Sequence, residues 1–255
     1  MELNYKSFGQ GPPLVILHGL FGMLDNWQTI AKQLAAQHSV FIVDQRNHGR
    51  SPHTEDFNYR LLAEDLRGFL ESQWIYRSHI LGHSMGGKTA MQFALDYPEM
   101  VEKLVVVDIG PERNHSSHTD IFGALLDFPI TTVQSRKEAE AFLAERLPDY
   151  GVRQFLLKNL SRQKTGGYRW KMNLPVLHRE YQAILAAVEL ETPYEGPALF
   201  VRGARSNYLD PERFDEVRHF FPGAQIQSIP EAGHWVHADQ PDQLLAAVQN
   251  FLREA

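Results

Sequence analysis

The stretch Gly82-His83-Ser84-Met85-Gly86-Gly87-Lys88-Thr89 admits two incompatible chemistries. Gly82 to Gly86 fits G-x-S-x-G, a nucleophile elbow that presents a serine hydroxyl on a sharp strand-to-helix turn. Gly82 to Thr89 also fits G-x-x-x-x-G-K-[ST], a P-loop whose amides and lysine hold phosphates. On the first reading Ser84 is an acyl-transfer nucleophile. On the second, Lys88 and Thr89 are nucleotide ligands. Both need a strand before and a helix after. Ser78-His79-Ile80-Leu81 supplies the strand, and Met91, Phe93, Ala94 and Leu95 suit a helix that stops at Pro98. The next apolar run, Leu104-Val105-Val106-Val107, ends in Asp108. That acid suits a magnesium site and a catalytic triad equally.

Two further passages favour the nucleophile. His18-Gly19-Leu20-Phe21-Gly22 follows the apolar run Leu14-Val15-Ile16-Leu17. A glycine-rich bend there can aim a backbone N–H at an oxyanion, paired with the N–H of the residue after the nucleophile. Those donors would be Leu20 and Met85, each worth roughly 3–4 kcal/mol in the transition state. Near the end, Glu231-Ala232-Gly233-His234-Trp235-Val236-His237 lies beyond the last apolar run. A histidine in that loop can reach Ser84 as general base, and the order serine, acid, histidine is that of the hydrolase elbow. A P-loop leaves both passages without a role.

HGLFG, Asp44-Gln45-Arg46-Asn47-His48-Gly49-Arg50-Ser51, GHSMGGK, Val107-Asp108-Ile109-Gly110-Pro111 and Gly-His-Trp-x-His-x-x-x-Pro occur in this order along the chain. Together they resemble the α/β-hydrolases of the small esterase branch, similar to YbfF-like bacterial esterases and their ABHD11-like eukaryotic relatives. The resemblance implies an α/β-hydrolase fold, a serine esterase or thioesterase without cofactor or metal, and a triad of Ser84, Asp108 and His234. It implies the acid at Asp108, one strand earlier than the commoner position after Ala198-Leu199-Phe200-Val201-Arg202. At that commoner position stand Asn207, whose amide cannot balance an imidazolium, and Asp210, which also reads as a helix N-cap before Pro211. Asp210 is the alternative acid, and Asn207 and Ser206 are expected to support the acid by hydrogen bonds.

The remaining candidates have humbler roles. His18 is expected to brace the oxyanion bend, His48 to bond a loop, and Asp44 and Arg46 to pair with each other. His18, Phe21, His83, Asn207 and Trp235 are candidate substrate contacts, with Trp27 and Trp235 bordering the acyl site. His115-Ser116-Ser117-His118 with Asp120 has loose metal-ligand spacing, but an exposed loop is the expected reading. Between Tyr150 and Arg179 there is no Asp or Glu, and seven Lys and Arg residues stand there. Such a basic stretch suits a solvated face or the phosphates of an acyl-CoA.

These residues need a scaffold. Apolar runs at 13–17, 40–44, 78–82, 103–108, 197–202 and 225–229 predict strands, mostly continuous as in a sheet covered on both faces. Helical patterns at about 26–37, 59–73, 84–97, 211–221 and 240–253 alternate with them, which predicts an α/β, mostly parallel, doubly wound sheet. The alternation fails between Pro111 and Gly196, where helical stretches around 117–128, 135–147 and 150–160 and a turn at Thr165–Tyr168 appear. The expected organisation is a hydrolase core of 1–110 and 196–255 with a mostly helical cap at 111–195.

Composition narrows the class. No run of about 18 apolar residues predicts a membrane helix. Met1-Glu2-Leu3-Asn4 shows no basic or apolar leader, so a signal peptide is not expected. The chain has no cysteine, which removes thiolate chemistry, and its net charge of −6 gives no overall attraction to nucleic acid. A cytoplasmic enzyme acting on a small acyl ester or thioester fits these features, with oligomeric state open. A C–C hydrolase, perhydrolase or acyltransferase could use the same triad. A small-molecule receptor could use the same fold.

Overall fold

The structure is a computed structural model and describes every residue except Ser116, Thr165 and Ala255. In chain order it contains β1 (Tyr5–Phe8), β2 (Pro13–Leu17), α1 (Gln28–Leu34), β3 (Ser39–Val43), α2 (Tyr59–Ser72), β4 (Ser78–His83), α3 (Met85–Asp96) and β5 (Val101–Val107). There follow α4 (Thr119–Leu126), α5 (Arg136–Ala144), α6 (Tyr150–Leu157), β6 (Leu160–Arg162), β7 (Tyr168–Trp170), α7 (Leu174–Arg179) and α8 (Tyr181–Leu185). The chain then returns through β8 (Ala198–Gly203), α9 (Phe214–Phe220), β9 (Ala224–Ile229), α10 (Val236–Asp239) and α11 (Pro241–Arg253).

A seven-stranded sheet runs in the order β1-β3-β2-β4-β5-β8-β9. Every neighbouring pair is parallel except β1 with β3. The central strands are apolar without interruption because alternate residues serve two cores. Val15, Leu17, Ile80, Leu104, Val106 and Phe200 pack with Leu66, Phe69 and Phe93 from α2 and α3. Leu14, Ile16, Leu81, Val105, Val107, Leu199 and Val201 pack on the opposite face with Ile30 and Leu34 of α1 and Val248 and Phe251 of α11. This parallel arrangement sends His18, Ser84 and Asp108 out of the same edge, one after each of β2, β4 and β5.

The sequence does not announce β1. Its residues Tyr5-Lys6-Ser7-Phe8 have no continuous apolar run, and as an edge strand it needs only one partner, β3. Between β5 and β8 lie α4 to α8 and the antiparallel β6–β7 hairpin. The helix expected over 150–160 ends at Leu157, because Asn159 turns inward and its amide donates to the Phe21 carbonyl at 2.7 Å. The expected turn becomes the hairpin loop, with Thr165 outside the described residues. Phe122, Leu125, Leu143, Leu156 and Leu177 of this inserted segment share a core with Leu20, Phe21, Tyr59, Leu62 and Met85. Among the described residues, no helix is long and apolar enough to cross a membrane.

Candidate active site

Ser84 is the single residue between β4 and α3, at φ 53° and ψ −121°. An L-residue with positive φ is strained, and packing too close for side chains enforces it. A Cβ at Gly82 would lie 2.1 Å from the Gly86 carbonyl oxygen, and one at Gly86 would lie 2.5 Å from the Leu17 and His18 carbonyl oxygens. The glycines of the motif are therefore a steric requirement of the turn. The same geometry removes the P-loop. Gly86, Gly87 and Lys88 already belong to α3, so no loop surrounds a phosphate. Lys88 Nζ donates to the Glu112 carbonyl at 2.5 Å and to the Ala186 carbonyl, and Thr89 Oγ1 donates to the Met85 carbonyl at 3.2 Å. Both supposed phosphate ligands are committed to the protein's own carbonyls.

The hydroxyl of Ser84 meets His234 Nε2 at 3.0 Å, and His234 Nδ1 meets Asp108 Oδ2 at 2.8 Å. These residues are 150 and 126 positions apart in sequence. Asp108 is fully buried, yet its carboxylate is saturated with donors. Besides His234, it accepts the Gly203 N–H at 2.9 Å on Oδ1 and the Ser206 hydroxyl on Oδ2. Burying a carboxylate is costly without such bonds. Asp210 bonds elsewhere. Its carboxylate accepts the Glu212 N–H at 3.0 Å and caps the short helical turn Pro211–Arg213. Ser206 supports the acid as expected. Asn207 does not: it is exposed and lines a separate groove with Asp210 and Arg213.

The bend His18–Gly22 is braced from beneath. His18 is buried, its Nε2 accepts the Gln45 N–H at 3.0 Å, and its Nδ1–H donates to the Gly19 carbonyl at 2.9 Å. His48 Nε2 accepts the Phe21 N–H at 3.3 Å, and its Nδ1–H donates to the Arg46 carbonyl at 3.0 Å. Both imidazoles must stay neutral to accept. Burial pushes His18 down to about 4 and, with His18 nearby, His48 down to about 3. Among the described residues the N–H groups of Leu20 and Met85 have no acceptor, as expected for a helix start and an open bend. Asp44 and Arg46 do not pair with each other. Asp44 accepts the Leu24 and Arg50 N–H groups at 2.8 and 2.9 Å, and Arg46 forks onto Asp65 at 2.6 and 2.9 Å. Each fixes a different loop.

The histidine loop is held in turn. His83 Nε2–H donates to the His234 carbonyl at 2.8 Å, and burial lowers His83 well below an ordinary imidazole. Tyr208 stacks flat on the His234 ring, with centroids 3.6 Å apart at 17°. No motif points to Tyr208, because the contact joins two loops that meet only in the folded sheet. A cavity of about 270 Å³ opens above Ser84, and His18, Phe21, Trp27, His83, His234 and Trp235 line it. Thus His18, Phe21, His83 and Trp235 reach the cavity, while Asn207 does not. His118, expected in an exposed loop despite its loose metal-ligand spacing with His115 and Asp120, is half-buried and bonds the Tyr181 hydroxyl at 2.7 Å through Nδ1. Among the described residues no group of three His, Asp or Glu could hold a metal ion, and Ser116 lies outside those residues.

A hydroxyl, imidazole and carboxylate in hydrogen-bonded series, beside two free N–H groups, can carry acyl transfer. Comparison with known proteins points the same way. Residues 12–129 match a family model described as alpha/beta hydrolase fold. The chain is 42% identical to the sn-1-specific diacylglycerol lipase ABHD11 of Mus musculus over 94% of this chain and 81% of that protein. It is 37% identical to Esterase YbfF of Escherichia coli (strain K12), over 95% of this chain and 93% of that protein. A solved structure titled Marine microorganism esterase superposes with a TM-score of 0.96 at 40% identity, covering 98% of this chain and 99% of that one. The protein therefore belongs to the α/β-hydrolase family, in the group of YbfF-like esterases and their ABHD11-like relatives.

Proposed function

We propose that the protein is a serine hydrolase of carboxylic esters that works through an acyl-enzyme. The observation that carries this reading is the unbroken series Ser84, His234, Asp108 at 3.0 and 2.8 Å. His234 takes the Ser84 proton as Oγ attacks the ester carbonyl. The Leu20 and Met85 N–H groups hold the oxyanion. His234 then passes the proton to the departing alcohol, and water, activated by the same imidazole, releases the acid. Asp108 keeps the Nδ1–H tautomer and balances the imidazolium. A thioester can follow the same path, with a thiol leaving.

Residues 111–195 act in this reading as a cap that selects the substrate, supported by the shared apolar core over the oxyanion bend. Support for an acyl-CoA tail on the basic stretch is thinner. Arg153 is bound to Glu140 at 2.7 Å and Arg179 to Glu55 at 2.9 Å, which spends part of that charge.

The test is hydrolysis of p-nitrophenyl esters from acetate to palmitate by wild type and Ser84→Ala. Loss of roughly 10³-fold or more in kcat for a folded Ser84→Ala is expected. Undiminished turnover by that variant would remove Ser84 from the chemistry.

A further inference from the structure

Phe21 stands in a conformation that its residue type resists. The Gly22 N–H donates to the Gly19 carbonyl at 2.9 Å, closing a four-residue turn with Leu20 and Phe21 in its middle. Phe21 has φ 60°. A positive φ at the third place of a turn calls for glycine, because a side chain crowds the left-handed region. Asn47 in the neighbouring loop has φ 63°, but asparagine tolerates it. Phenylalanine has to be held there.

The holders come from two sides. The core supplies His48, whose Nε2 accepts the Phe21 N–H at 3.3 Å. The segment between β5 and β8 supplies the rest. The Phe21 ring meets Phe122 edge-on, with centroids 5.1 Å apart, and the Phe21 carbonyl accepts the Asn159 Nδ2–H at 2.7 Å. Asn159 is completely buried, and its backbone is fixed as well. Its N–H donates to the Leu156 carbonyl at 3.0 Å, and its carbonyl accepts the Lys171 N–H at 2.9 Å. Its Oδ1 has no partner among the described residues. An amide buried with an unpaired oxygen is costly, and the bond to Phe21 is what offsets that cost.

This turn presents the Leu20 N–H. That N–H shares one planar peptide with the Gly19 carbonyl and points the opposite way. The carbonyl is held by the His18 Nδ1–H and the Gly22 N–H, each at 2.9 Å. Rotating Phe21 alone into the right-handed region swings Gly22 away from it. Flipping the Leu20–Phe21 peptide as well breaks the bond to His48. Either relaxation disturbs the peptides on both sides of Leu20.

We propose that Asn159 is a positioning residue of the reaction: it keeps Phe21 left-handed and so keeps the Leu20 N–H aimed at the oxyanion. This rests on the esterase reading above. It makes the segment between β5 and β8 a support of that donor as well as a selector of substrate.

A double-mutant cycle on kcat tests it, with p-nitrophenyl acetate as substrate. Asn159→Leu fills the space but cannot donate. It should lower kcat at least about 10-fold at little changed KM, a smaller loss than removal of a whole oxyanion donor. Affinity for phenylboronic acid, whose adduct with Ser84 puts an oxygen in the same place, should fall in parallel. Phe21→Gly removes the need for a holder, since glycine takes the left-handed region freely. In that background Asn159→Leu should change kcat less than about 3-fold. Whatever Phe21→Gly costs by itself cancels in the comparison. Should the leucine variant fail to fold, Asn159→Ser gives a smaller loss with the same dependence on residue 21. Equal losses in the two backgrounds, a change confined to KM, or undiminished kcat and boronate affinity overturns the role of Asn159 and leaves the esterase reading intact. Hydrolysis that is absent in the wild type, or that survives Ser84→Ala, overturns that reading instead.

Discussion

The surroundings of Asp108 and the interior of the segment between β5 and β8 are held together by different means. Asp108 is fixed by directional bonds from Gly203, Ser206 and His234 around a buried charge. The segment between β5 and β8 also has directional ties, such as Asn159 to the Phe21 carbonyl, but its interior is built from apolar contact. Phe122 meets Phe21, Tyr181 and His178 with ring centroids 5.0 to 5.2 Å apart. Directional bonds specify atom identity, whereas apolar packing specifies mainly volume. The first region should therefore resist even isosteric change, and the second should accept new shapes that alter substrate choice.

Asp108→Asn is the strongest test of this contrast. It preserves shape and should lower kcat about 10⁴-fold, while Asp210→Asn should leave kcat within about 2-fold, since Asp210 only caps an exposed turn. Equal losses in the two variants would abolish the distinction between relay and cap.

Phe122→Ala should cost about 3–5 kcal/mol of stability, read by denaturant titration, because it empties a buried aromatic site. Phe122→Leu should recover most of that, with a changed KM and little change in kcat. A kcat loss as large as that of Asp108→Asn would mean the inserted segment also carries the chemistry.

Acid should weaken the loops around Ser84. His18, His48 and His83 are buried and neutral in the folded protein, and burial lowers all three. The unfolded chain has ordinary imidazoles near 6.5, so below that pH it binds protons that the folded state refuses. Stability from these groups is therefore present above about pH 6.5 and is lost as pH falls toward 4. The loss is on the order of 1–2 kcal/mol per imidazole at pH 5. A Tm equal at pH 7 and pH 5 would contradict it.

Ser206→Ala should have a smaller effect. The variant removes one of the donors to Asp108 but leaves Gly203 and His234. The cost should be about 1–2 kcal/mol, appearing as roughly a 10-fold lower kcat at unchanged KM. A change confined to KM would place Ser206 on the substrate side instead.

Much of this was readable in the chain. The apolar runs located the six longer strands of the sheet, since continuous apolarity follows from burial on both faces. Ser84 was marked by glycines that the turn itself demands. The edge strand Tyr5–Phe8 carries no apolar signature, because it has one partner and three of its four residues are exposed. The β6–β7 hairpin and the helices α7 and α8 were hidden for a related reason: each is too short to show a period.

The sequence by itself determined what neighbours in the chain enforce: strand, elbow, helix, and a histidine loop after the last strand. Only the tertiary structure set Asp108, and not Asp210, against His234, removed the P-loop and placed Tyr208 on the His234 ring. Elements written in local sequence depend on φ, ψ and side-chain period. The acid, the stack and the cavities depend on sheet order, which brings side chains 126 and 150 positions apart within a hydrogen bond.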